Sequence, residues 1–221
     1  MARRMNKVIK FLIASDFFLL GGWGLLSPVF ALFILQGIAS SPARAAEIAG
    51  FSALIYWSIK SLLQIPISRY FDRVVGERDD YWMMILGLFI NGVAPFGFLL
   101  ATTPDHIYFV QVVHAVGMSL VIPSWNAIFT RHIDRGQEAY EWAMDSTFLG
   151  FATGITGGIG GIMAASLGFE VIFILVGVLT LCAGFLLLLI RRNVLPMDHG
   201  LDDFLSCYLD FLPFRRTNRR L

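Results

Sequence analysis

The chain has 221 residues, of which 57% are hydrophobic and only 15% are charged. With 20 phenylalanines, 21 glycines and a mean hydropathy of +0.69, it has too little polar surface for an ordinary soluble domain. A net charge of +1 gives no overall field for nucleic acid, and the two cysteines are not spaced for a metal site or a disulfide framework. The composition predicts an all-α membrane protein, without nucleic acid, metal or cofactor as a partner.

The first apolar segment follows four basic residues, Arg3, Arg4, Lys7 and Lys10. A cleavable signal peptide would also begin with a basic region, but its apolar part is only about 7 to 15 residues long. This segment is longer, so we expect it to be retained as the first transmembrane span.

Five further apolar segments follow it along the chain. Because a bilayer core of about 30 Å requires about 20 helical residues, each segment is long enough to cross it. The six predicted spans cover about residues 11–35, 47–68, 81–102, 106–130, 140–165 and 169–190. They form one predicted membrane domain, residues 1–192, followed by a polar tail, residues 193–221.

The basic residues predict the orientation of the spans. Lysine and arginine are enriched in cytoplasmic loops, and 15 of the 17 here fall on one side of the predicted topology. Arg44 falls on the other side, and Lys60 lies within a span. We therefore expect both termini to be cytoplasmic, in a multi-pass protein of the plasma membrane.

Spans one and two each contain a charged residue, and such residues usually face a cavity or a partner. Helical spacing places each one on a face with other functional side chains: Asp16 with Trp23 and Ser27, and Lys60 with Tyr56 and Gln64. If both faces line one cleft, they predict a substrate or proton site for an amphipathic or charged solute. A static Asp16–Lys60 pair, or a Lys60 amine that reaches the inner surface, remains an alternative.

The connection between spans two and three, residues 68–80, carries seven charges in thirteen residues. Its arginines suit an anchor on the cytoplasmic side. Asp79 and Asp80 suit the positive amino end of the next helix. From charge alone, the segment is either such an anchor or a working part.

Polar residues in and beside span four are further candidates. His114 and Asn126 lie within the span and belong to the predicted substrate or proton site, although a lone histidine also suits an interhelical hydrogen bond. Asp145, near the start of span five, can pair with Arg131 or Arg135 as an inner gate.

Span five is rich in glycine. Small residues near every fourth position allow helices to approach closely, so these residues are predicted to pack helices together. They are Gly150, Gly154, Gly157, Gly158 and Gly161.

The tail contains an amphipathic segment, residues 201–212, followed by Arg215, Arg216, Arg219 and Arg220. An amphipathic helix with a basic end suits the surface of an anionic inner leaflet, which makes membrane lipid an expected partner. A disordered tail with hydrophobic spots is the alternative.

Three segments in this order resemble one transporter family. Ser68-x-x-x-Asp72-Arg73-x-x-Gly76-x-Arg78 resembles the cytoplasmic signature of the major facilitator superfamily. Residues 114–127 resemble its fourth span, and residues 150–158 its glycine-rich fifth span. The resemblance implies an amino-terminal six-span half bundle with a 3+3 inverted repeat, and a gating loop formed by Asp72, Arg73, Gly76 and Arg78.

Transporters of this superfamily usually have twelve spans, with the substrate path between two six-span halves. Six spans alone would expose polar groups to lipid, so we expect a homodimer or a second half-transporter as partner.

The resemblance implies a membrane transporter that moves a small-molecule solute by alternating access, with proton coupling as an option. A non-transporting scaffold or assembly partner with the same half fold is the alternative. An enzyme is not expected, since no Gly-x-Ser-x-Gly elbow, His-Glu-x-x-His pair or Cys–His cluster occurs.

Overall fold

The computed structural model describes residues 5–73 and 77–195. Within these ranges the chain is helical and contains no strand. The helices are α1 (Lys7–Leu26), α2 (Phe30–Gly37), α3 (Pro42–Phe71), α4 (Arg78–Leu99), α5 (Pro104–His132), α6 (Glu138–Leu167), α7 (Phe169–Leu188) and α8 (Arg191–Val194).

The six predicted spans are confirmed as six helices that are long and apolar enough to cross a membrane. The first, Lys7–Gly37, consists of α1 and α2, joined by a 3₁₀ turn at Ser27–Val29. Pro28 explains this turn, because proline has no backbone N–H to continue an α-helix. The other five spans are α3 to α7.

Helix ends follow from local chemistry. The Asn6 side chain accepts a hydrogen bond from the backbone N–H of Val8 and caps α1, and Ser41 caps α3 in the same way. Gly168 separates α6 from α7 at φ +82°, a left-handed conformation that glycine adopts without strain. These local signals account for the short connections between the spans.

The helices pack in the spatial order α3, α5, α4, α7, α1, α6. Most of the core comes from the inner four, with Leu12, Tyr81, Phe129 and Phe173 fully buried. The indole Nε1 of Trp125 donates to the carbonyl of Leu12 at 3.4 Å, which brings α5 against α1 and closes the inner four around the core. Helices α3 and α6 lie at the two ends of this series.

One end of the bundle carries most of the described basic residues. There the Asn6 side chain donates to the carbonyl of His132 at 3.3 Å, and the Arg191 guanidinium lies 5.3 Å from the ring centroid of Trp82. The start of α1, the end of α5, the start of α4 and the end of α7 therefore meet at this basic end. The predicted tail lies outside the described residues from position 196 onward.

Candidate functional site

Three aromatic rings from three helices form one stack inside the bundle. The imidazole of His114 on α5 lies parallel to the indole of Trp23 on α1, with centroids 3.6 Å apart and planes 1° apart. The ring of Tyr56 on α3 stacks on the other side of His114, at 4.6 Å and 27°. The structure thus brings together residues that the sequence placed on three separate spans, as the predicted shared site requires.

Lys60 borders this stack. Its Nζ lies 4.4 Å from the ring centroid of Trp57 and 5.6 Å from that of Tyr56, within the range of cation–π attraction. It is also close enough to His114 to act on it electrostatically. In the described part of the chain Lys60 forms no salt bridge, so aromatic faces are its recorded neighbours.

Two polar atoms in the stack are buried without a hydrogen bond. The indole Nε1 of Trp23 and the Nδ1 of His114 have no partner among the described residues. A buried polar group without a partner costs about 1 to 3 kcal/mol of stability. The stack therefore carries two unused hydrogen-bonding positions beside a cation.

Asp16 forms no salt bridge with Lys60 among the described residues, so the static pair is not seen and the shared site stays a prediction. Its carboxylate interacts electrostatically with that of Asp145 on α6, and neither forms a salt bridge within the described ranges. Asp16 lies on α1, which packs mainly against α6 and α7, whereas Lys60 lies on α3, which packs mainly against α5.

The remaining predicted residues lie toward the basic end. Asn126 follows His114 by twelve residues, which places it about 18 Å further along α5, and its side chain is exposed. The structure does not bring it to the stack. Gln64 lies one helical turn from Lys60 on the same face of α3. Its backbone carbonyl accepts a hydrogen bond from the Ser68 hydroxyl at 2.7 Å.

At the basic end, a second group of charges links the start of α4 to the end of α5. The Arg131 guanidinium donates to the Asp80 carboxylate, and Nδ1 of His132 lies 3.5 Å from Oε1 of Glu77. The predicted Arg131–Asp145 pair is therefore wrong, because Arg131 points toward α4 rather than α6. Glu77 and His132 were not predicted, since their pairing depends on which helix ends meet.

Glu77 lies outside the spans, at the cap position before α4. Burial raises its pKa above the ordinary value of 4.5, against the opposing effects of His132 and Arg131. The carboxyl therefore retains its proton to higher pH than an exposed glutamate does. The pair that it forms with His132 depends on pH.

The comparison with protein families fits this geometry. The model of the Major Facilitator Superfamily matches residues 12–203, which is most of the chain. The chain belongs to the major facilitator superfamily. Members of this superfamily are membrane transporters, and the apolar helices of the chain agree with that class. No curated protein matches the chain.

In this facilitator chain, the structure describes part of the predicted gating loop. Asp72 and Arg73 are exposed directly after α3, and Arg78 is half-buried at the start of α4. Gly76 lies outside the described residues. The residues flanking the loop are bonded: the Tyr70 hydroxyl donates to Asp79 at 3.3 Å, and the Arg131 guanidinium donates to Asp80.

Of the five α6 glycines predicted to pack helices, only one lies against another described helix of the same chain, and packing against a second chain stays a prediction for the others. A Cβ at Gly150, Gly154, Gly158 or Gly161 would meet no described atom within 4 Å. Gly157 does face α1, since a Cβ there would lie 3.7 Å from the carbonyl oxygen of Gly24, and a Cβ at the unpredicted Gly160 would lie closer still to Leu25. Glycines near every fourth position predict a face of small residues on α6, but they do not predict which face of α6 packs within the chain.

A groove of about 700 Å³ opens between the first halves of α1 and α6. Phe17, Phe18, Tyr140 and Phe148 supply much of its wall, with Lys10 and Gln137 among its few polar residues. None of the stacked rings lines it. Among the described residues there is also no group of three or more His, Cys, Asp or Glu side chains that could hold a metal ion.

Proposed function

We propose that this chain is one half of a transporter that moves a small solute by alternating access, with the Trp23–His114–Tyr56 stack and Lys60 as its substrate site. The stack is the observation that carries the proposal, because it joins α1, α3 and α5 around unused polar positions and a cation. Such convergent polar groups on aromatic walls are typical of solute sites.

We propose a second copy of the chain as the other half. In the most apolar stretch of each span, only 17% of α3 and 11% of α6 is buried, against 44–61% for the other four. The exposed side of α3 includes Ser58 and Ser61, beside the partly exposed Lys60, and polar groups are costly in lipid. The exposed side of α6 carries the four glycines, which permit close helix contact.

Two copies in the same orientation, related by an axis along the membrane normal, place α3 of one beside α6 of the other. This arrangement covers both exposed helices and encloses two copies of the stack. In this dimer both termini are cytoplasmic, because the basic end of each copy faces the cytoplasm, where lysine and arginine are enriched.

The dimer is tested by cross-linking two differently tagged copies that lack Cys182 and Cys207. We expect Leu54→Cys on α3 of one copy to cross-link with Ile155→Cys on α6 of the other, since both are exposed near the middle of their helices. The matched control pairs Leu54→Cys with Phe185→Cys, an exposed position on α7. Equal yields for both pairs would contradict the arrangement.

We also propose that Asp16 and Asp145 bind the coupling proton. Asp145 is buried with one carboxylate oxygen that has no described partner, Asp16 is half-buried, and neither pairs with a cation among the described residues. The proton then leaves when the pair reaches water on the other side of the membrane.

Uptake into liposomes containing the purified chain, with and without an inward proton gradient, tests transport and coupling together. We expect saturable uptake that the gradient accelerates, and no acceleration in Asp16→Asn or Asp145→Asn. Glu47→Gln is the control, because Glu47 lies in an exposed pair with Arg44. A protein that is monodisperse and moves no anionic, neutral or cationic solute would favour the scaffold alternative.

A further inference from the structure

Among the described residues no salt bridge joins Lys60 to Asp16 or Asp145, and this bears on the substrate. Asp16 interacts with Asp145 across α1 and α6, whereas Lys60 lies over Trp57 and Tyr56. No described carboxylate neutralises Lys60. The site around the stack therefore carries a positive charge without its own counter-charge.

The polar atoms beside Lys60 also favour a ligand that accepts hydrogen bonds. An indole N–H only donates hydrogen bonds, and the Nε1 of Trp23 is buried with no described acceptor. The imidazole Nδ1 of His114, also without a partner, can donate in one tautomer. A ligand that accepts hydrogen bonds and carries negative charge would satisfy these groups, whereas a cation would be repelled by Lys60.

The walls limit the body of the ligand. Trp57 and Tyr56 present ring faces to Lys60, and Trp23 and Tyr56 enclose His114. Planar apolar groups contact such faces by stacking, and a small hydrated inorganic anion does not. The site thus combines an anion-binding end with aromatic surfaces.

We propose that the solute is an organic anion with a planar apolar body, of the aromatic carboxylate class. This inference rests on the proposed substrate site. The carboxylate lies against the Lys60 ammonium and accepts from Trp23 Nε1, and its ring lies along Trp57 and Tyr56. The bound carboxylate supplies the counter-charge that Lys60 lacks among the described residues.

Binding to the full chain in detergent tests the assignment without requiring transport. Radiolabelled benzoate and naphthoate are the anionic probes, and unlabelled benzamide and benzylammonium compete as a neutral and a cationic analogue of benzoate. We expect benzamide and benzylammonium to compete at least about tenfold more weakly than unlabelled benzoate, as loss of a charge-assisted hydrogen bond implies.

Lysine variants identify the responsible charge. We expect Lys60→Gln to weaken benzoate binding about tenfold or more, and Lys60→Arg to stay within about threefold of the unaltered chain. Lys7→Gln is the matched control, because the Lys7 ammonium also lies over an aromatic ring, that of Phe11 at 5.9 Å, but at the basic end. It should leave binding unchanged.

The outcomes are distinct. Absence of binding by both anions, equal competition by benzamide, or a monodisperse Lys60→Gln protein that binds as before would overturn the assignment. If Lys60→Gln aggregates, the comparison of benzoate with benzamide and the Lys60→Arg variant decides. Binding without flux would overturn transport and leave the anion site standing; flux of other solutes without anion binding would do the reverse.

Discussion

The imidazole of His114 lies flat against the indole of Trp23, with the two ring centroids 3.6 Å apart. This contact joins α5 to α1 at the height where Tyr56 and Lys60 approach from α3. The stack therefore holds these helices together as well as forming the candidate site.

A double-mutant cycle between Trp23→Leu and His114→Leu should therefore show a coupling free energy of about 0.5 to 1.5 kcal/mol, the range for stacked aromatic pairs. Unfolding in mixed detergent micelles, followed by far-ultraviolet circular dichroism, measures it. The control is a cycle between Trp57→Leu and His114→Leu, because the exposed Trp57 ring packs edge-on against Tyr56 and is not stacked on His114. Additive effects in the first cycle would show that the rings do not stabilise each other.

The Asp80–Arg131 pair should respond differently to loss of either partner. The Asp80 side chain is 2% exposed and that of Arg131 is 36% exposed. Arg131→Gln leaves a buried carboxylate without its cation, and we expect it to cost up to about 3 kcal/mol of unfolding free energy. Asp80→Asn leaves a cation that can reach water, so its cost should be smaller. The same unfolding assay measures both, and the opposite order would contradict the pairing.

Two glycines on α6 provide a matched comparison of packing. A Cβ at Gly160 would lie 2.8 Å from the carbonyl carbon of Leu25, whereas one at Gly158 would meet nothing described. Gly160→Ala should lower the melting temperature, because α1 would have to move away from α6. In the monomeric chain in detergent, Gly158→Ala should leave it unchanged or raise it slightly, since alanine favours helix by up to about 1 kcal/mol. A lower melting temperature for both would mean that the Gly158 face is packed as well.

Glu77 should give folding stability a dependence on pH. Because its pKa is raised in the folded protein, the folded state holds this proton more tightly than the unfolded state does. The stability that it contributes is complete below its ordinary pKa of 4.5 and is lost as pH rises through the raised value. Melting temperatures of Glu77→Gln should therefore fall less between mildly acidic and neutral pH than those of the unaltered chain. An equally steep fall of the melting temperature in Glu77→Gln would show that groups other than Glu77 cause the pH dependence.

The span pattern could be predicted from sequence because a bilayer demands about 20 apolar residues per helix, whatever the helix packs against. Trp23, Tyr56, Lys60 and His114 were also identifiable, since polar and aromatic side chains within spans are conspicuous. Their contact was only an expectation until the order of helices was known.

Pairing between helices is where the sequence-based predictions were wrong. Asp16 interacts electrostatically with Asp145 because α1 packs beside α6, and Arg131 pairs with Asp80, not Asp145, because α5 ends beside the start of α4. Helical spacing determines which residues share a face, but the neighbour of that face is determined by packing across the whole bundle. The same limit applies to the glycines of α6.

Solute uptake by the unaltered chain and by Lys60→Gln shows whether the chain transports an anion held by Lys60. Benzoate uptake is measured into liposomes at matched protein density, with Lys7→Gln as control and circular dichroism as the check on folding. We expect saturable uptake that falls about tenfold or more in Lys60→Gln, equivalent to about 1.4 kcal/mol of transition-state stabilisation, and is retained in Lys7→Gln. Uptake by Lys60→Gln equal to that of the unaltered chain, or no uptake above empty liposomes, would contradict it.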